Sequence, residues 1–256
     1  MQLILSAKEI VCLAAALGIS EVIGIADGFR DVPLRRLQRE IDLTRESLEK
    51  KGVIESGLDG DSAINPSYRS MLETVLRSKR LVAIDAQLAG KGKIGVVYYA
   101  AAGQLVESVP GESGYTLCEC SASECAERIF AYADWVAGPA ALDCQPRLIK
   151  QTRLQALKGL QAGGKEAKEM ENEGFSHVVI AMLFDAFSYQ TNFYSYAFVD
   201  TADGGSLKTL MFIDDYRGAL KLVPVVKNDE NCILLESVPQ KELQDELRAR
   251  VQAFLL

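Results

Sequence analysis

One histidine, His177, limits the proton-transfer and metal chemistry open to this 256-residue chain. It lies in Gly-Phe-Ser-His-Val-Val-Ile, with Glu173 the only carboxylate or thiol within four residues, so no metal cluster forms locally. Zinc sites that need two or more histidines are excluded. There is no Gly-x-Ser-x-Gly elbow, so a Ser/His/Asp or Cys/His arrangement would have to be assembled from distant segments. Gly90-Lys91-Gly92-Lys93 lacks the Gly-x-x-x-x-Gly-Lys-Ser/Thr spacing of a phosphate loop and reads as a turn between strands. Asp214-Asp215 is an adjacent carboxylate pair, which a strand would point to opposite faces. Cys118 and Cys120 share one face of a predicted strand, and the six cysteines contain no CxxC, so they read as reduced packing thiols. No catalytic residue, metal ligand or cofactor is assigned.

Charge narrows the partners. The net charge is −7, from 28 basic and 35 acidic side chains. Residues 1–80 carry 12 of each, so the remaining 16 basic and 23 acidic groups place the whole excess in residues 81–256. A field of that sign repels phosphate backbones, which makes nucleic acid an unfavoured partner and confines any such role to the first 80 residues. The opening MQLILSAKEIVCLAAALG has no cationic leader, and Lys8 and Glu9 interrupt its apolar run, so it reads as a helix of the fold. No uncharged apolar stretch reaches 18 residues, so no membrane insertion is expected, and the thiols point to the cytoplasm.

The elements begin with a capping box, Ser6-Ala-Lys-Glu9, followed by an apolar stripe of Ile10, Leu13, Ala14 and Leu17 that stops at Gly18. A charged helix is predicted over Pro33 to Lys51, with Leu34, Leu37, Ile41 and Leu48 on its apolar side and Gly52 ending it. Val53-Ile54-Glu55 and Ser62-Ala63-Ile64 predict a small hairpin around residues 56–61, and Asn65-Pro66 caps a third helix with Tyr68, Met71, Leu72, Val75 and Leu76 on one side. Helix, hairpin and helix in this order are winged-helix-like, and Arg35, Arg36, Arg39, Arg45, Lys50 and Lys51 are the side chains that would meet phosphates. The same helix carries Glu40, Asp42, Glu46 and Glu49, leaving only 6 − 4 = +2.

From Arg80 onward the pattern changes to strands. Leu81–Leu88, Lys93–Tyr99, Gln104–Val109 and Tyr115–Cys120 predict four short strands. They feed a helix opened by a second capping box, Ser121 to Glu124, with Cys125, Ile129, Tyr132 and Val136 on its apolar face. The last third repeats the order with strands Tyr194–Thr201, Leu207–Ile213, Ala219–Val226 and Cys232–Glu236 and a box at Ser237 to Gln240. Its helix is faced by Leu243, Leu247, Val251 and Phe254. The turn glycines Gly103 and Gly218 are 115 apart, Ser121 and Ser237 116, and Ile129 and Leu247 118. Matched turns and caps predict an internal duplication. Between the copies, Pro146–Leu160 and Lys165–Glu173 predict a helical hairpin broken at Gly163-Gly164. Residues 1–256 then form a single quasi-symmetric α/β (α+β) domain: two α-β-meander-α halves around a central antiparallel sheet, with an N-terminal winged-helix-like segment. Its parts are 1–80, the N-terminal helices and wing; 81–138, the first meander and helix; 146–173, the helical hairpin; and 177–256, the second unit.

The Leu-Ser-x-x-Glu-Ile-x-x-Leu-Ala-x-x-Leu-Gly start (Leu5 to Gly18), the Leu-x-x-x-Gly-Val-Ile segment (Leu48 to Ile54) and the two α-β-meander-α halves resemble the EspG family of ESX (type VII) secretion chaperones. The resemblance implies a quasi-symmetric α/β fold that acts without catalysis. It also implies a cytosolic chaperone or adaptor that binds a helical secreted protein, covers its apolar surface and delivers it for export. The chain departs from the family in lacking its tryptophan-rich or Pro-Trp N-terminal connection and in its short hairpin loops. The alternative is a winged-helix DNA-binding regulator with an appended α/β ligand-sensing domain. Composition nominates Phe187-Ser-Tyr-Gln-Thr-Asn-Phe-Tyr-Ser-Tyr196 as the partner-binding segment, through Phe187, Tyr189, Phe193, Tyr194 and Tyr196, because five of its ten residues are aromatic in a chain that is 7% aromatic. The competing use is packing at the helix-to-strand junction.

Overall fold

The computed structural model describes residues 1–56, 62–133, 135, 142, 144–158, 160, 164–202 and 205–255. It is a mixed α/β chain dominated by a large antiparallel sheet, as expected. The elements are β1 (Gln2–Leu5), α1 (Ala7–Ala16), α2 (Leu34–Lys50), β2 (Ile54–Ser56), β3 (Ser62–Ile64), α3 (Pro66–Arg77), β4 (Arg80–Leu88), β5 (Gly92–Ala101), β6 (Gln104–Gly111), β7 (Gly114–Cys120) and α4 (Ala122–Ala131). They continue with β8 (Arg147–Lys150), α5 (Gln151–Ala156), α6 (Lys165–Asn172), α7 (His177–Phe187), β9 (Asn192–Asp200), β10 (Ser206–Asp215), β11 (Gly218–Lys227), β12 (Glu230–Val238) and α8 (Gln240–Leu255). The order of one helix, four strands and one helix occurs twice, from α3 to α4 and from α7 to α8.

The chain divides into two compact units: Met1–Ala83, Val96–Cys125 and Val199–Gly205 form one, and Ile84–Gly95, Ala126–Phe198 and Ser206–Leu256 form the other. In the first, β1 lies at the sheet edge and pairs antiparallel with β7, which pairs with β6 and then β5. Its core joins Leu5, Ile10, Leu13, Leu48, Met71, Leu72, Val106 and Leu117. Glu9 is buried there. It completes the Ser6 capping box and accepts from Lys51 Nζ (2.7 Å) and Ser47 Oγ (2.8 Å), which ties α1 to the end of α2. At that end Gly52 takes φ +66°, so that Val53 N–H reaches Leu48 O (2.9 Å) and Gly52 N–H reaches Glu49 O (2.9 Å), a helix stop that a side chain would strain.

In the second unit the strand order runs β9-β10-β11-β12-β8, and the core joins Ile149, Met170, Phe175, Leu183, Phe184, Leu220, Leu222 and Leu235. Helix α8 buries Leu243, Leu247, Val251 and Phe254, the four residues its periodicity selects.

Four expectations need correction. The apolar start holds a strand, β1, before the first helix, with Leu3 and Leu5 buried and Ile4 exposed in strand alternation. Pro146–Leu160 is not one helix: Arg147–Lys150 pairs with β12 as an added edge strand, Ile149 opposite Ile233, and the helix is confined to Gln151–Ala156. Backbone pairing along β12 outweighs the local helical pattern there. Leu34 is 88% exposed rather than part of the packed side of α2. Ser237 caps no helix; it belongs to β12, and its hydroxyl bonds the Leu142 backbone N–H (2.7 Å) and C=O (2.8 Å), while Pro239 O receives the first N–H groups of α8. The hairpin loop 57–61, Val136 and Gly163 lie outside the described residues.

Candidate protein-binding groove

Of the five aromatic residues nominated by composition, Tyr194 and Tyr196 are fully buried and are corrected from partner surface to core. Alternation along β9 turns both inward, where Tyr194 and Tyr196 meet the Phe212 ring at 4.9 and 6.2 Å. The Tyr196 hydroxyl donates to Ile129 O (3.2 Å), and burial pushes its phenol far above the ordinary range, so it stays neutral. Phe187 and Phe193 are half-buried, their rings 6.4 Å apart. Tyr189 alone is exposed, at 42%, with Lys93 Nζ 5.9 Å from its ring centre.

The carboxylate pair is also accounted for. Asp214 accepts from the Gln240 amide (3.1 Å to each oxygen). Asp215 accepts from Arg217 Nε (3.0 Å) and from Thr191 Oγ1 (3.2 Å), and Arg217 also reaches Asp185 (2.6 Å). Burial works against the Arg217 charge, yet its hydrogen bonds to Asp215 and Asp185 outweigh that and raise its pKa. Both aspartates brace the start of α8 and the β10–β11 turn. Among the described residues no group of three or more His, Cys, Asp and Glu is placed to hold a metal ion.

Phosphate contact from α2 loses half of its cations to internal pairs: Arg45 with Glu49 (3.6 Å), Lys50 with Glu46 (3.9 Å) and Lys51 with Glu9 (2.7 Å).

The surface that composition did not nominate lies on the second unit, where α4 and α8 leave a groove of about 360 Å³. Ala126, Phe130 and Ala131 form one wall, and Val251 and Gln252 the other. At the rim, Arg248 lies over the Phe130 ring, 4.6 Å from its centre, and Glu127 supplies the opposite charge. The floor continues into the core. The ring of Trp135 is 5.7 Å from that of Phe130 and stacks on Phe212 at 5.2 Å with a 4° interplanar angle. The Trp135 indole nitrogen is buried without a hydrogen-bond partner among the described residues. Helix α8 is held in place by Glu246, which accepts from Lys221 Nζ (2.6 Å) and Arg250 (2.6 Å), while Arg250 also reaches Thr209 O (3.1 Å). Burial raises the Glu246 pKa, but these two cations outweigh it and hold the carboxyl below the ordinary range. One wall is thus fixed, and the groove offers carbon surface with one charge of each sign at its mouth. Sequence periodicity missed it because Phe130 and Ala126 sit one step off the buried stripe of α4. An aromatic residue beside such a stripe is the signal that marks it.

No family model and no curated protein matches the chain. Among solved structures it is similar to the Mycobacterium tuberculosis type VII secretion system chaperone EspG5 in complex with a PE25-PPE41 dimer. The TM-score is 0.59 at 13% identity, over 100% of this chain and 96% of that one. At that identity the likeness is one of fold. Among the described residues no helix is long and apolar enough to cross a membrane.

Proposed function

We propose that this chain is a non-catalytic binding protein of chaperone or adaptor type, which holds an apolar helical segment of a partner in the groove between α4 and α8. The observation that carries the reading is the groove itself. Its walls are two helices whose groove-lining residues repeat at i, i+4 (half-buried Ala126 and Phe130; exposed Arg248 and Gln252), so a third helix can set its own ridge between them. Arg248, which also pairs with Asp245 (3.6 Å), and Glu127 give the groove a polar rim around its carbon surface. Full-length likeness in fold to a chaperone seen with a PE25-PPE41 dimer supports a helical protein partner, and with it a place in type VII secretion in the cytoplasm.

The test is capture of partners from native-host lysate by the wild type, Phe130→Glu and Ala131→Arg. Ala131 is exposed, so its variant fills the groove without disturbing the core. The expected result is one stoichiometric helical protein retained by the wild type and reduced at least tenfold by both variants at unchanged melting temperature. Equal recovery with Ala131→Arg, or no helical protein with the wild type, overturns the reading.

A further inference from the structure

A second cavity, of about 250 Å³, opens on the second unit between β8, the end of α6 and the start of α7. Its floor is apolar: Phe175, Val179, Leu220 and Leu235 are each no more than 6% exposed. Its mouth is polar, formed by Cys144, Gln145, Arg147 and Ser176. The Ser176 hydroxyl is already engaged by the Val179 N–H (3.3 Å). Arg147 differs from every other arginine of this unit's ion-pair network. Arg153 pairs with Glu166 and Glu173, Arg217 with Asp185 and Asp215, Arg248 with Asp245, and Arg250 with Glu246, whereas the exposed Arg147 has no ion-pair or hydrogen-bond partner among the described residues.

That guanidinium lies beside the end of α6. Gly174 ends α6 at φ +85°, with Phe175 N–H on Met170 O (3.0 Å) and Gly174 N–H on Glu171 O (2.9 Å). A Cβ at Gly174 would stand 2.6 Å from Arg147 Nη2. The glycine is required by the left-handed helix stop, and the guanidinium, at the far end of an exposed and flexible side chain, lies against it at the cavity mouth.

We infer that this cavity binds a monocarboxylate with a compact hydrocarbon body, the carboxylate on Arg147 and the hydrocarbon on Phe175, Val179, Leu220 and Leu235. A planar guanidinium with no internal carboxylate matches two carboxylate oxygens. The single cation gives no match for a polyanion, and the volume lies below the ~300–1,000 Å³ of drug-sized pockets, which sets the ligand's size. A small free acid and the terminal carboxylate of a peptide ending in an apolar residue share this chemistry. The site is separate from the α4–α8 groove and does not depend on the function proposed for that groove.

The experiment titrates the full chain with 3-phenylpropanoate and its amide, and with an acetylated tripeptide ending in phenylalanine and its C-terminal amide, followed by calorimetry and by amide chemical shifts. Both carboxylates or one of them should bind, each amide at least tenfold more weakly, and the tighter carboxylate names the source. Arg147→Gln should weaken the bound carboxylate by roughly tenfold to a hundredfold, the loss of a charged hydrogen bond, at unchanged melting temperature. Arg147→Lys should recover part of the affinity, and Arg69→Gln, in the other unit, should leave it unaltered. Failure of both carboxylates at millimolar concentration, equal binding of acid and amide, or an unaffected Arg147→Gln overturns the inference.

Discussion

The two stretches that share the order helix, four strands, helix bury their aromatic residues by different means. In the first, the two fully buried rings each end in a directed hydrogen bond. Tyr98 donates to the buried Glu107, and Tyr99 donates to Ile23 O (2.6 Å). In the second, rings lean on rings: Tyr194 and Tyr196 pack on Phe212, and so does Trp135 from the segment after α4. A hydrogen-bonded ring closes the core at a polar partner and fixes one geometry. Around Phe212 the Tyr196 hydroxyl also finds a carbonyl, Ile129 O (3.2 Å), but the ring faces rest on one another. Through Trp135 and Phe130 the carbon surface runs from the core of the second unit out into the α4–α8 groove. The unit whose aromatic core is built on ring-to-ring packing is the one that offers a binding surface.

Phe212 is the point at which this contrast breaks most easily. Phe212→Ala should cost about 3–5 kcal/mol, because the ring is fully buried and three aromatic neighbours lose their common contact. Tyr98→Phe keeps the ring and removes one donor from Glu107, for a cost of roughly 1–3 kcal/mol. Urea unfolding of both variants measures the difference, and hydrogen exchange locates it, with Phe212→Ala loosening β9 to β12 and α8 first. A larger loss from Tyr98→Phe would mean that the hydrogen-bonded core, not the stacked one, carries the stability.

The first unit offers a pH handle on its polar wiring. Burial raises the Glu9 pKa, but hydrogen bonds from Lys51, the Ser6 N–H and Ser47 outweigh it and hold the carboxyl below its ordinary 4.5. A depressed folded pKa means that this contribution is complete above the unfolded value and is lost as pH falls through the folded one. Glu9→Gln should therefore cost roughly 1–3 kcal/mol at pH 7. The gap from wild type should narrow as the pH is lowered from 5 toward 3, read from urea midpoints. A gap that stays constant across that range would remove Glu9 from the account of acid sensitivity.

What could be read in the sequence was local. The four-strand runs, the Ser6 and Ser121 capping boxes and the α8 stripe rest on periodicity and on contacts within three or four residues, and they stand where expected. Strands β1 and β8 are four residues each and exist through their pairing with β7 and β12, which no local pattern carries. The Ser237 box matched in letters but not in register. Helices α4 and α8 begin 118 residues apart, at Ala122 and Gln240, so the counterpart of Ser121 is Pro239. The groove joins residues 126–131 to residues 248–252 and is tertiary by construction. In the aromatic segment composition was informative but phase was decisive: strand alternation buried Tyr194 and Tyr196 and left Tyr189 outside.

Tyr189 supplies the smallest effect and the sharpest test of whether exposure there serves a purpose. It ends α7 as Gly52 and Gly174 end α2 and α6, with Gln190 N–H on Asp185 O (2.7 Å) and Tyr189 N–H on Ala186 O (3.3 Å), but at φ +62° with a bulky side chain. A left-handed residue other than glycine costs about 1–2 kcal/mol. Glycine at this position gives back about 0.4–1 kcal/mol through the freer unfolded chain. The exposed contact with Lys93 is worth about 0.5–1 kcal/mol at most. Tyr189→Gly should therefore lie within about 1 kcal/mol of wild type, because the relieved strain and the two losses nearly cancel, whereas Gly174→Ala, which imposes the same strain, should destabilise by about 1–2 kcal/mol; thermal melts of the pair check the contrast. A strained residue persists where something other than stability retains it. If Tyr189→Gly melts at the same or a higher temperature yet recovers less of a partner, the exposed ring is part of a contact surface. If it melts lower with partner capture intact, Tyr189 is packing, and the second unit's binding surface reduces to the groove.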